Sequence, residues 1–423
     1  MLKIKHYLFC AICVALILPS LWGSETPLPA TNKNNQAPDS DGYRSIALMM
    51  NVLQLVRENY VDKDMVSYDR LIKGALKGML GELDPYSAYE TPDHYSKTVE
   101  DTKGEFGGLG IVVTNRNNIL EVVAPMEDTP GFKAGIIAGD IITEIDGKQT
   151  RGMDLFETVN LLKGPPGTKV NMTIYRKAEN KFKKVTIERA VIEVSPVKGP
   201  KIIDSGIGYI RLTQFSVPLP EKLDEALASL KKKNMRALIL DLRGNPGGLM
   251  GAAIQVCSRF IEEGKVVVST AGRKESEKQD FRSLYCDKTL DIPMLVLVDG
   301  NSASAAEIVA GCLQDHKRAV LLGEKTFGKA SIQSLVPLGD KSAVRLTTGK
   351  YFTPDKKLIH GIGIQPDIKV KIPEADEMKL AVQRSNHPGE IAPNISNAVR
   401  DVQLQRAVEV LKGICVYSAK KND

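Results

Sequence analysis

The feature that most constrains this chain is an apolar run closed by a glycine-rich or small-residue turn, which occurs three times in its second half. Residues 237–242 run into Asp241-Leu-Arg-Gly-Asn-Pro-Gly-Gly-Leu249. Residues 294–298 run into Asp299-Gly-Asn-Ser-Ala-Ser-Ala-Ala-Glu307, and residues 319–323 into Gly323-Glu-Lys-Thr-Phe-Gly-Lys329. With residues 209–213 these read as strands, and helical patterns over 221–232, 250–262 and 304–314 alternate with them. Apolar strands followed by helices predict an α/β layer structure. In such sheets ligands bind at the C-terminal ends of the strands, where all three turns fall.

Each turn has a structural and a chemical reading. Ser302 or Ser304 can simply cap the helix that follows. Alternatively, Ser304 is presented at a helix start, whose free backbone N–H groups can stabilise an oxyanion. Lys325 and Lys329 can be solvated loop residues. A lysine becomes a base near neutral pH only if burial lowers its pKa from about 10.4. Gly247 and Gly248 can serve a tight turn, or aim a backbone N–H at a carbonyl with no side chain in the way. The spacing of a phosphate-binding loop is absent. One sheet edge can thus gather a serine, a lysine and backbone donors.

Upstream, Ile46, Met49, Leu53 and Val56 predict a helix over 43–59, and a second follows over 68–83, stopped by Asp84-Pro85. These two helices need a partner surface, either the α/β domain or a second subunit. From Gly104 short strands take over, at 109–114, 120–123 and 170–175, with a helix over 154–162. That order suggests a small, partly open barrel. A last amphipathic helix is predicted over 401–415.

At 423 residues the chain exceeds the roughly 250–300 that one core supports, so several domains are expected. The net charge of +6 is dispersed, and its densest cluster, Lys231 to Lys233, ends a predicted helix. With only 5% aromatic residues as well, the composition argues against nucleic-acid binding. Lys3, Lys5 and His6 precede uncharged residues 7–22, a run shorter than the ~20 residues of a membrane span. This reads as a secretory signal over 1–23, although the imperfect cleavage site leaves a retained anchor open. Residues 24–41 read as a polar linker. Cys10 and Cys13 lie in the signal. Cys257, Cys286, Cys312 and Cys415 lack metal-ligand spacing and read as buried thiols, some of which could pair in an oxidising compartment.

Together the three turns closely resemble those of the carboxy-terminal processing, or tail-specific, proteases. The resemblance extends to Leu83-Asp-Pro-Tyr-Ser-Ala-Tyr89, to the module spanning 104–176, and to Tyr351-Phe-Thr-Pro and Gly361-Ile-Gly-Ile-Gln-Pro-Asp367. It implies an α/β multidomain fold: a ClpP/crotonase-like catalytic core (187–373), an inserted PDZ domain (101–186), and helical regions at 42–100 and 374–423. The nucleophile falls on Ser304, the base on Lys329, and the residue orienting the lysine on Gln333. Oxyanion donors fall on Ala305 and on one of Gly247 and Gly248, and Glu307 supports the serine. Glu105-Phe-Gly-Gly-Leu-Gly-Ile-Val112 resembles a PDZ carboxylate-binding loop, with Gly108, Leu109, Gly110 and Ile111 at the peptide. A glycine-rich turn makes a nest of N–H groups for a terminal carboxylate, and the next strand can add a peptide to its edge. The implied activity is cleavage of proteins with apolar C-terminal tails by acyl transfer, without metal or cofactor. An extracytoplasmic, periplasmic location follows, and the family allows an adaptor lipoprotein and a homodimer.

Two rivals remain at this level. A histidine triad would use His316 or His360. His316 lies at the far end of the helix that Ser304 begins, beyond reach at ~1.5 Å per residue, and His360 has no evident acidic partner. A non-catalytic tail-binding scaffold would have no need of both Ser304 and Lys329.

Overall fold

The computed structural model describes residues 40–422 except 117–118, 127–128, 138, 154, 178, 285–289, 387 and 390–397. The predicted signal, most of the linker, Cys286 and the first residue of the 154–162 helix lie outside the described residues. The chain divides into two compact units, the first ending at Ile72 and the second beginning at Lys73. In the first, α1 (Ser40–Asn59) realises the predicted helix. The Arg57 guanidinium lies 3.5 Å from the ring centroid of Tyr68, where α2 (Tyr68–Gly81) begins.

In the second unit, β1 (Ala88–Glu90) and α3 (Pro92–Lys103) lead to a short strand, β2 (Glu105–Gly108). The middle module follows: β3 (Ile111–Arg116), β4 (Ile119–Pro125), α4 (Pro130–Lys133), β5 (Ile141–Ile145), β6 (Lys148–Gln149), α5 (Leu155–Leu162), β7 (Lys169–Arg176) and β8 (Lys181–Glu188). Its sheet runs β3-β4-β5-β7-β8, so β3 is an edge, and α5 packs against it. Leu120, Val122, Ile142, Ile145, Val170, Met172 and Ile174 fill the core, as period-2 strands with one buried face should. The exit strand β9 (Ala190–Glu193) pairs with β2. Buried Arg189 donates to the carbonyls of Leu161, Leu162 and Lys169 and so fastens this exit to α5 and β7.

The α/β part begins with β10 (Val197–Asp204), β11 (Ile207–Leu212), α6 (Leu219–Lys232), β12 (Ala237–Asp241), α7 (Met250–Ser258), β13 (Val266–Gly272), β14 (Gln279–Arg282) and β15 (Met294–Val298). It continues with α8 (Ala305–Asp315), β16 (Val320–Gly323), β17 (Ser331–Pro337), β18 (Ala343–Phe352), β19 (Ile368–Lys369), α9 (Glu374–Asn386) and α10 (Val402–Asn422). The main sheet has the order β10-β11-β12-β15-β16-β19, parallel from β11 onward. Alternate residues serve two cores. Ile210, Leu238, Leu240, Val296 and Leu321 join the cluster containing residues of α6, α7 and α8. Tyr209, Ile239, Leu295, Leu297 and Leu322 pack with Leu404, Ala407, Val408 and Leu411 of α10. The expected mixed α/β architecture is therefore present, with helices on both sheet faces.

Two expectations need correction. The helix predicted over 250–262 ends at Ser258, because the chain turns there to bury Phe260 and Ile261. The sequence reading also missed a second, antiparallel sheet, in which β18 pairs with β1, β13 and β17.

Candidate active site

The three turns converge at the C-terminal ends of β12, β15 and β16. Ser304 stands between β15 and α8 at φ +56° and ψ −117°, outside the comfortable regions for a residue with a Cβ. Fully buried Glu307, one turn into α8, reaches back to it: Oε2 accepts the Ser304 N–H at 3.0 Å. The same oxygen accepts the Lys329 N–H at 2.8 Å, while Oε1 accepts from Gly328 N at 2.7 Å and Thr326 Oγ1 at 2.5 Å. Four donors thus surround one buried carboxylate and join the serine turn to the lysine loop. Tyr351 adds a second clamp, its hydroxyl set against the carbonyls of Ser304, at 2.9 Å, and of Lys329.

Lys329 is half-buried, whereas Lys325 is exposed, which separates the two basic candidates. Burial lowers the Lys329 pKa, the nearby Arg345 charge lowers it further, and Asp84 acts in opposition. Its ε-amine lies 4.6 Å from the centroid of the Tyr86 ring. Gln333, on β17, donates to Ser331 Oγ and Thr347 Oγ1, and its Oε1 is buried without a partner. His360 borders the same region: its Nδ1 accepts from Ala330 N, and its ring meets Tyr86 edge-on at 6.4 Å. His316 instead bonds the Val266 carbonyl through Nε2.

The glycine pair resolves into two different roles. Gly247, at φ +100°, presses against the serine turn, and a Cβ there would come within 2.7 Å of Ser304 Cβ. Its N–H is held by Asn245 Oδ1 at 2.8 Å. The Gly248 N–H and the Ala305 N–H, first in α8, are not taken by any described residue. The loop is anchored from below by a buried ion cluster. Arg243 pairs with Asp241 at 2.7 Å and with Asp401 at 2.9 Å, and Tyr209 donates to Asp241 at 2.7 Å. Asp299 Oδ1 accepts from Gly244 N and Asn301 N, fixing the first turn against the second.

In the middle module, Gly110 adopts φ +67°, and a Cβ there would meet Thr129 within 2.3–2.5 Å. The carbonyls of Leu109 and Gly110 are bonded by Gly131 N and Met126 N, both at 2.7 Å. This holds the glycine turn directly before the edge strand β3. Cys312 is buried, as expected of a packing residue, and Cys257 is likewise a buried free thiol. Among the described residues no cluster of His, Cys, Asp or Glu could hold a metal ion.

Sequence reasoning missed Thr326, Tyr351 and Asn245 as site residues. For Tyr351 the signal was its place in a quoted motif, but its hydroxyl partners lie far away in sequence. Thr326 and Asn245 also lie in quoted turns, but nothing there singled out their side chains.

Fold and module together define a serine protease that carries a PDZ domain. The model for peptidase family S41 matches residues 206–370, that for a PDZ domain residues 121–176, and that for the activating protease CtpB N-terminal domain residues 23–93. A carboxy-terminal-processing protease from Bartonella bacilliformis is 43% identical over 90% of this chain and 91% of its own length. The carboxy-terminal processing protease CtpA of Bacillus subtilis is 35% identical over 81% of this chain and 73% of its own. Among solved structures, a photosystem II D1 C-terminal processing protease matches 77% of this chain and 92% of its own with 27% identity and a TM-score of 0.44. The chain belongs to the carboxy-terminal processing proteases of peptidase family S41.

Proposed function

We propose that the protein cleaves proteins with apolar C-terminal tails through a Ser304–Lys329 dyad. Neutral Lys329 takes the Ser304 proton, and Ser304 attacks the scissile carbonyl. The N–H groups of Ala305 and Gly248 hold the oxyanion, while Gly247 gives the serine room. The lysinium then protonates the leaving amine, and water resolves the acyl-enzyme by the same route. Gln333 orients the lysine, and Glu307 holds both catalytic backbones. The observation that carries this reading is the shared Glu307 Oε2, which binds the backbone of Ser304 and of a half-buried lysine of lowered pKa.

Tail capture is assigned to Gly108, Leu109, Gly110 and Ile111, where a carboxylate would meet the glycine turn and a peptide would extend the β3 edge. The domain limits given above, export to an extracytoplasmic space, an adaptor lipoprotein and a homodimer complete the proposal. Among the described residues no helix is long and apolar enough to cross a membrane.

The test is cleavage of an unstructured protein with an apolar tail by wild type, Ser304→Ala, Lys329→Ala and His360→Ala. The dyad requires that the first two variants lose hydrolysis, that both still bind the tail, and that His360→Ala retain turnover. A serine-directed fluorophosphonate should label wild type on Ser304 alone. Full activity in Lys329→Ala would sink the assignment.

A further inference from the structure

The Leu83-Asp-Pro-Tyr-Ser-Ala-Tyr89 motif has no part in the reaction above, yet it stands over the base. Among the described residues the Lys329 ε-amine makes no hydrogen bond or ion pair, and it lies over the face of Tyr86, 4.6 Å from the ring centroid. Nearby on β17, Gln333 has both its amide donors engaged on β17 and β18, while its Oε1 is buried and has no partner among the described residues. That oxygen lacks the kind of donor that Lys329 carries.

We propose that Tyr86 is a positioning residue that holds Lys329 in a resting pose, cation over ring, and that release of this contact lets the amine reach Gln333 Oε1 and the Ser304 hydroxyl. The inference rests on Lys329 being the base. The Tyr86 backbone is held at both its N–H and its carbonyl, and the ring has a further aromatic neighbour. Asp84 Oδ1 accepts the Tyr86 N–H at 2.7 Å, Arg345 Nε donates to the Tyr86 carbonyl at 3.1 Å, and His360 meets the ring edge-on. Because β1 begins two residues later and pairs with β18, the pose is coupled to the sheet that also carries Gln333 on β17.

A ring face attracts an ammonium and offers a neutral amine nothing comparable, so Tyr86 favours the charged, inactive lysine. Other groups act on the same amine. Asp84 favours the cation, and Arg345 on β18 disfavours it. His360 meets the ring edge-on. Glu307 and Tyr351 face the Lys329 backbone, with Glu307 engaged by its four donors. Removing the ring while keeping bulk should therefore release the base and lower the pH at which it acts.

The experiment uses the full chain, a chromogenic peptide and the fluorophosphonate probe across a pH series. Tyr86→Leu should raise kcat and the labelling rate about 3- to 10-fold near neutrality, leave KM unchanged, and move the acid limb down by about half to one pH unit. Tyr86→Phe keeps the ring and should match wild type, whereas Tyr86→Trp, with a stronger face, should be slower. An unchanged or slower Tyr86→Leu overturns the inference. If that variant does not fold, a Tyr86→Trp as fast as wild type overturns it. Adding Lys329→Ala separates the two claims. Hydrolysis that survives it refutes the base assignment, whereas its loss alongside an unaccelerated Tyr86→Leu refutes only the role of Tyr86.

Discussion

Glu307 Oε2 accepts the backbone N–H of Lys329 at 2.8 Å across 22 residues of sequence, so the strand-to-helix turn and the lysine loop move as one piece. No cation sits on this buried carboxylate among the described residues. Three backbone N–H groups and the Thr326 hydroxyl carry its charge instead. Thr326 in turn accepts the Ile364 N–H at 2.7 Å, so the Gly361-to-Asp367 segment packs against the same clamp. At Gly363 a Cβ would fall 2.2 Å from the Thr326 carbonyl oxygen, which explains why that motif needs a glycine there.

Glu307→Gln tests the clamp. The amide keeps one oxygen but turns an NH2 toward N–H donors, so at least one charge-assisted bond becomes a repulsion. Each such bond is worth about 1.5–3 kcal/mol. The expected result is a kcat lower by about 10- to 100-fold with KM nearly constant, measured by steady-state peptide hydrolysis. A KM effect without a kcat effect would mean that Glu307 shapes the substrate cleft instead.

Gly247→Ala should be more severe than Gly248→Ala near the nucleophile. At Gly247 the added methyl lies 2.7 Å from Ser304 Cβ, on backbone at φ +100°. At Gly248, φ +139°, the clash is with the Phe215 carbonyl oxygen at 2.2 Å, and no Ser304 atom is among the nearest three. Loss of an oxyanion donor costs about 100- to 1,000-fold in kcat. Both variants should lose turnover, but fluorophosphonate labelling of Ser304 should fall more in Gly247→Ala. Equal labelling rates would show that the two glycines do not divide the roles described.

The pH profile follows from the environment of Lys329. Burial lowers its pKa below the ordinary lysine value and Arg345 assists. The proposed dyad works through the neutral amine, so on that reading kcat/KM should rise with pH and be lost as pH falls through that lowered pKa. Lys329→Arg stays charged at every accessible pH and should be inactive throughout. A flat profile from acid to neutral pH would contradict a lysine base.

How much of this was legible beforehand follows from physical range. The strands at 237–242, 294–298 and 319–323 were readable because burial on both faces leaves uninterrupted apolar runs. The turns that close them narrowed the candidates to Ser302 or Ser304 and Lys325 or Lys329, and the family resemblance made the choice of Ser304 and Lys329. The antiparallel sheet was not readable. β18 mixes Arg345, Thr347, Thr348 and Lys350 with apolar residues, and its pairing with β1 spans more than 250 residues. For the same reason Tyr351 gave no local sign of its role, since its hydroxyl acts on carbonyls from two other elements. The difference between the Gly247 and Gly248 N–H groups depends on where Asn245 points, which no spacing encodes.

The buried ion cluster beneath the glycine turn after β12 should govern acid stability. Burial alone would raise the Asp241 pKa, but Arg243 overcomes this and holds its carboxyl far below the usual carboxylate range. A depressed folded-state pKa contributes stability that is present above the unfolded value of about 3.9 and is lost as pH falls below it. Asp241→Asn leaves Arg243 short of one charge in a fully buried site and should cost about 3–5 kcal/mol at neutral pH. Denaturant melts of wild type and variant at pH 7 and pH 3 should therefore converge toward acid. A constant gap would show that the pair does not set the pH dependence.

Tail capture can be separated from chemistry because the two sites use different backbone. Gly110 sits at φ +67°, and a side chain there would collide with Thr129. Gly110→Val should therefore distort the turn before β3 while Ser304 and Lys329 stay untouched. A peptide ending in a free carboxylate after apolar residues should bind wild type at least tenfold more tightly than the same peptide with a C-terminal amide, because the amide cannot fill the nest of N–H groups. In Gly110→Val that preference should vanish, while hydrolysis of a short tail-less peptide persists. Titration of both peptides by fluorescence anisotropy reads the first effect without any substitution, so loss of folding in the variant would not rescue the assignment. Equal affinity for acid and amide in the wild type would remove the carboxylate site from the β3 edge.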